Sequence, residues 1–218
     1  MLSYYLNFIS SDSTQSVSAP VTCNKIIVID AGHGSPDGGA VGKSGVEEKD
    51  LNLIISGKIG DLLIRSGAKV VYTRNNDKCI VDTNNKKLRQ IKIEDLELRK
   101  QIINQSNADV FISIHMNKFE DEKYYGAQVF YDGELKENKI LAESIQSSLI
   151  EFADPSNTRK IKHVNGKMFL LKNNKMPSVL IECGFLSNIR EEKLLCDNNY
   201  QDKIAYAVFL GIMKFLDK

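Results

Sequence analysis

Three apolar runs in this 218-residue sequence end on residues that can bind a metal or move a proton. "IIVIDAGH" closes at His33, "VFISIH" at His115 and "SVLIE" at Glu182. A fourth candidate, the Glu47–Glu48 pair, closes the glycine-rich stretch that follows the first run. Two imidazoles and one carboxylate that leave a fourth position open make a catalytic zinc set, whereas structural zinc sites are closed and rich in cysteine. An ion held in that way lowers the pKa of a water in the open position toward about 7. A further carboxylate beside it takes the water's proton and later hands it to a leaving amine. Glu182 suits that second role because it ends its own strand, free of any helix cap. Either Glu47 or Glu48 could be the carboxylate ligand on spacing alone.

Each of these residues also has an ordinary structural role open to it. A histidine at a strand end is commonly just hydrogen-bonded, Glu47 or Glu48 could complement the dipole of the helix they open, and Glu182 could pair with a lysine at the rim. Two of only three histidines ending apolar strands is what favours the metal reading. His163, in the polar stretch "TRKIKHVNGK", is left without a role. Cysteines 23, 79, 183 and 196 form no CxxC, which argues against a Cys-rich zinc site or a disulfide framework and for free or buried thiols. Cys183 is a poor ligand candidate, since neighbours on a strand point to opposite faces. The "GKS" at 42–44 suggests a nucleotide-binding loop, but the glycine needed five residues before the Gly-Lys pair is Asp37, and Gly45 interrupts the helix that the lysine should open.

These residues need a scaffold that converges strand ends, and the hydrophobic pattern supplies one. "KIIVID" reads as a buried strand. "EEKDLNLIISGKIGDLLIRSG" has helical spacing at Leu51, Ile54, Ile55, Ile59, Leu62 and Leu63, ended by Gly67. "AKVVYTR" is the next strand, and residues 75–93 read as a polar surface loop with little structure. A second helix over 94–107 leads into "ADVFISIH". "GAQVFYDG" follows as a strand, then an amphipathic helix over 135–153, two short strands joined by a turn at 173–177, and two final helices near 188–196 and 199–217. Alternating strands and helices predict a single α/β domain with a mostly parallel central sheet and helices on both faces. In such sheets ligand sites gather at the carboxyl ends of the strands.

Composition narrows the function further. A net charge of +1 offers no basic field for nucleic acid, and with no tryptophan any sugar-stacking platform must be built from tyrosine or phenylalanine. Residues 1–24 hold an apolar stretch too short to span a bilayer, followed by a Ser/Thr-rich linker. They read either as the remnant of an export or anchor segment or as a frayed terminus, ahead of a catalytic domain over 25–218.

In order along residues 25–217, "IVIDAGHGSPDGGAVG…GVEEKDLNL", "ELRKQIINQSNADVFISIHMN", "GAQVFY" and "LLKNNKMPSVLIECGFLSN" resemble the successive motifs of the zinc-dependent N-acetylmuramoyl-L-alanine amidases of the Amidase_3 type. The "SPDGGA" wording and the compact single domain are closer to the sporulation branch of that family. The resemblance implies zinc ligands at His33, Glu48 and His115, a catalytic Glu182, and Glu47 as a neighbour only. It implies cleavage of the amide between N-acetylmuramic acid and L-alanine of peptidoglycan, in spore cortex maturation, by an exported protein in the cell wall or forespore envelope. Membrane association would come only through the N-terminal segment, and neither nucleic acid nor nucleotide is expected as a partner. Some division-type members carry a blocking helix after the strand matching "GAQVFY". Here that strand runs into an ordinary helix, so location, metal occupancy, substrate state or a regulatory protein partner must limit activity. The competing expectation is a peptidoglycan-binding module of the same fold with no competent metal.

Overall fold

A computed structural model describes residues 21–78 and 80–217. The elements are β1 (Ile26–Ala31), α1 (Glu48–Arg65), β2 (Lys69–Tyr72), α2 (Leu88–Gln105), β3 (Val110–Asn117), β4 (Gln128–Tyr131), α3 (Lys136–Ser148), β5 (Lys162–His163), β6 (Ser178–Phe185), α4 (Ile189–Leu195) and α5 (Asn198–Leu216). The strands form one sheet in the order β2-β1-β3-β6-β4-β5. β2, β1, β3 and β6 run parallel, β4 is antiparallel to β6, and β5 follows β4 in parallel.

The sheet is legible as apolar runs because its central strands are buried on both faces. Alternate side chains separate into two cores. Ile27, Ile29, Ile112, Ile114, Val179 and Ile181 pack with residues of α1, α3 and α5. Val28, Phe111 and Leu180 pack on the other side with Ile103 of α2 and with Leu170 and Leu171. Helices thus cover both faces, as the alternation of strands and helices predicts.

The structure departs from the sequence expectations in four places. α2 begins at Leu88, inside the stretch expected to be loop, where the Gln90 side chain accepts from the Lys87 amide and caps the first turn. The first of the two short strands expected near 166–172 is a 3-10 turn, Phe169–Leu171. Its adjacent leucines are both buried, which the two-fold alternation of a strand does not allow. β5 is a two-residue strand that the polar stretch around His163 did not announce. Finally, β3 and β6 run on past His115 and Glu182 to Asn117 and Phe185, so those two residues lie within strands and not at their ends. The apolar runs continue through Met116 and Cys183–Phe185, all buried.

Residues 1–20, which carry most of the expected export remnant, and Cys79 lie outside the described residues. Among the described residues no helix is long and apolar enough to cross a membrane.

Candidate active site

Elements β1, α1 and β3 bring His33, Glu48 and His115 together. One ligand-capable atom from each lies within 4.8 Å of the other two. His33 Nε2 is 3.2 Å from Glu48 Oε2, and His115 Nδ1 is 2.9 Å from Glu48 Oε1. Donors around a tetrahedral ion at bond lengths of about 2.0–2.2 Å stand about 3.3–3.6 Å apart, so the cluster needs little adjustment to hold one. The histidine rings meet edge to face at 5.1 Å.

Glu48 is the fixed member. Its Oε2 accepts from the Ala40 amide at 2.8 Å, and its Oε1 accepts from the Met116 amide at 3.0 Å and from Asn52 Nδ2 at 3.3 Å. Burial opposes its charge, but the two histidines outweigh burial and hold its pKa far below the carboxylate range. Glu47 turns the other way, to Lys49 Nζ at 3.1 Å. Of the doublet, only Glu48 faces the histidines.

His33 is set by a second carboxylate. Asp37 Oδ2 lies 2.8 Å from His33 Nδ1, and Lys92 Nζ lies 2.7 Å from Asp37 Oδ1. In the neutral ring, a proton kept on Nδ1 by Asp37 leaves the Nε2 lone pair free for an ion shared with Glu48. Burial alone would depress the His33 pKa, yet Asp37 and Glu48 raise it to about 9. The same two carboxylates favour any cation at this spot, proton or metal.

Two glycines make room. A Cβ on Gly32 would sit 2.3 Å from His115 Nε2, and one on Gly39, where φ is +71°, would sit 2.6 Å from Glu48 Oε2 and 2.7 Å from His33 Cδ2. The glycine-rich stretch is therefore a cradle for the three side chains. Its "GKS" segment forms a turn whose amides at Lys43 and Ser44 donate to Glu192 at 3.1 and 2.8 Å.

The cradle hangs on two arginines that sequence reasoning missed. Arg74 donates to the carbonyls of Ala31, Gly32 and Lys49 at 2.8, 2.9 and 2.8 Å. Arg99, wholly buried, donates to the carbonyls of Ala31 at 2.7 Å and His33 at 2.5 Å, and pairs with Asp30 at 2.8 Å and Asp95 at 2.6 Å. His33 itself has φ of 63°, an uncommon backbone conformation for a residue with a side chain. The Arg99 grip on its carbonyl helps hold that conformation. Asp30 also accepts from Thr73 and Ser113, each at 2.6 Å. Burial pushes the Asp30 carboxyl up, and Arg99 with the two hydroxyls brings it down to about 2.

Glu182 sits directly beside His115 in the β3–β6 ladder. Its Oε2 is buried and makes no hydrogen bond. Burial is the largest influence on it. Together with the nearby charge of Glu48 it lifts the carboxyl to about 7, against the opposing pull of His115, His33 and Arg159. A buried acid without a partner is costly to keep for structure alone. Cys183, the next residue, points into the opposite core, and burial raises its thiol far above the usual range. His163 lies elsewhere: it is exposed on β5 beside Tyr131, which pairs with Val179 at the far end of β6 from Glu182.

A His–Glu–His cluster able to hold a metal ion, flanked by an unpaired carboxylate at the rim of a parallel sheet, is the make-up of a metal-assisted hydrolase. The family model for N-acetylmuramoyl-L-alanine amidases, Amidase_3, matches residues 27–214, and the chain belongs to that family. It is 41% identical over 208 residues to the germination-specific N-acetylmuramoyl-L-alanine amidase of Bacillus subtilis (strain 168), covering 95% of this chain and 86% of that protein. Its fold matches the CwlD amidase from Clostridioides difficile, a structure determined in complex with the GerS lipoprotein. There the TM-score is 0.87 and the identity 48%, over 89% of this chain and 99% of that one. An N-acetylmuramoyl-L-alanine amidase from Clostridium difficile 630 is similar at TM-score 0.77 and 31% identity, over 89% and 98% of the two chains. The expected family and the expected α/β fold both hold.

Proposed function

We propose that this protein is a zinc-dependent amidase that cleaves the bond between the lactyl group of N-acetylmuramic acid and L-alanine in peptidoglycan. Its substrate places it outside the cytoplasmic membrane, and similarity to the germination-specific amidase supports work on the spore cortex. The observation that carries the reading is the unpartnered carboxylate of Glu182 set against the His33–Glu48–His115 cluster. A binding module has no use for such a base.

Zinc held by His33, Glu48 and His115 would supply Lewis acidity toward the amide carbonyl and the attacking water. Glu182 receives the proton that the water gives up, and passes it to the alanine nitrogen, a poor leaving group until protonated. Glu48, pinned by main-chain amides, and His33, oriented by Asp37, fix the donors before substrate arrives.

The test is zinc per chain. His33→Ala, Glu48→Ala and His115→Ala should each lose most of their metal, because two remaining donors make a poor zinc site. Glu47→Ala should stay loaded. Full occupancy in all three ligand variants would sink the assignment, and loss confined to Glu47→Ala would move it by one residue.

A protein partner completes the proposal. The Clostridioides difficile CwlD structure includes a lipoprotein, and here β4 passes to α3 with only residues 132–135 between, so no inserted helix follows that strand. The purified protein should therefore act weakly on vegetative peptidoglycan. Vigorous unaided digestion would refute the need for a partner.

A further inference from the structure

Glu182 is a member of a row. In the sheet it stands opposite His115 of β3 on one side and opposite Gln128 of β4 on the other. Residues in register on neighbouring strands present their side chains on the same face. His115, Glu182 and Gln128 thus line one face across three strands. At the end of the row is Arg159, which donates to Gln128 Oε1 at 2.7 Å.

Arg159 is held but not neutralised. Its guanidinium lies over the Phe185 ring at 4.8 Å, and a long hydrogen bond of 3.5 Å runs to the Tyr125 carbonyl. Its Nε is buried without a hydrogen-bond partner. Among the described residues no carboxylate lies within ion-pair distance of it, and Glu182 and Glu191 act on it only as charges farther off. The other arginines of the site, by contrast, use their donors on carbonyls and carboxylates. A stacked guanidinium with donors to spare is suited to a carboxylate from outside the chain.

Resting on the amidase reading above, we propose that Arg159 receives a free carboxylate of the stem peptide, and so selects substrates by the charge on the second stem residue. The reach fits. Adjacent strands lie about 4.8 Å apart, so Gln128 is about 10 Å along the row from His115. An extended peptide advances about 3.3–3.6 Å per residue. From a carbonyl attacked beside Glu182, the second residue and its carboxylate come level with the end of the row. The glycan then leaves on the side away from Arg159.

The experiment uses zinc-loaded protein and two glycan fragments with stems of L-alanyl-D-glutamic acid γ-methylamide, its α-carboxyl free in one and a carboxamide in the other, so that only the first carries a carboxylate. Unaltered protein should show a KM at least about tenfold lower for the carboxylate form, the scale of a charge-assisted pair. Arg159→Gln should raise that KM to the value of the carboxamide form while kcat and zinc content hold, and Arg159→Lys should fall between. Equal KM values for the two fragments in unaltered protein would overturn the proposal and leave the amidase reading intact. So would an Arg159→Gln variant that loses kcat equally on both, which would mean that Arg159 acts through Glu182 or the fold. Release of neither stem by metal-replete protein, even at protein concentrations high enough to reveal weak unaided activity, would take down the amidase reading, and this proposal with it.

Discussion

Glu182→Gln is expected to keep its metal and its fold and to lose turnover by about 10²–10⁴-fold, the usual contribution of a positioned proton transfer. The amide has nearly the volume of the carboxyl and can still hydrogen-bond a water, but it cannot take the proton. Folding should not suffer, because Glu182 Oε2 makes no hydrogen bond that the change could break. Stem-peptide release and zinc content have to be measured on the same preparation. Normal turnover with normal zinc would remove Glu182 from the chemistry. Loss of zinc would make it a fourth donor instead of a base.

Arg99→Met should be the most destabilising single change near the site, at about 3–5 kcal/mol, since it strips the cationic partner from the buried Asp30 and Asp95 and removes its donors to the carbonyls of Ala31 and His33. The shift in urea midpoint, at unchanged slope, reads this directly. It should be taken in chelator, so that altered metal affinity does not enter. Arg99→Met combined with Asp30→Asn should recover part of the loss, because it removes the unpaired charge at position 30 and leaves only that of Asp95. A loss below about 1 kcal/mol would place Arg99 with ordinary surface substitutions and refute its role as the strut of the His33 loop.

The residues of the candidate site were legible because they lie in or just after apolar runs, and a polar group in that position stands out. His33, His115 and Glu182 could be singled out from the sequence by that pattern. The strand limits could not, since the runs continue past the polar residue, through buried Met116 in one and buried Cys183–Phe185 in the other. The Glu47–Glu48 doublet was undecidable from spacing because a single residue at a helix start turns a side chain by about 100°, following from 3.6 residues per turn. Arg99 was missed for a different reason. Ile91, Asp95, Arg99 and Ile103 recur every four residues and form the buried stripe of α2, but a charged pair in such a stripe reads as the solvent face. Asp37 lay within a stretch already read as loop, and only the folded hairpin, with its Gly34–Asp37 bridge, returns it to His33. Arg159 sat in a polar stretch whose one short strand gave no apolar signal.

That the donors ride on separate elements has a consequence for the order of events in the life of the chain. His33 lies just past β1, Glu48 opens α1, and His115 and Glu182 lie within β3 and β6; none belongs to either hydrophobic core. The apolar contacts that align the strands are complete without them. Small zinc modules collapse around their ion and are unfolded without it. On the amidase reading proposed above, an ion would meet a finished socket here, so that folding would not wait for metal loading.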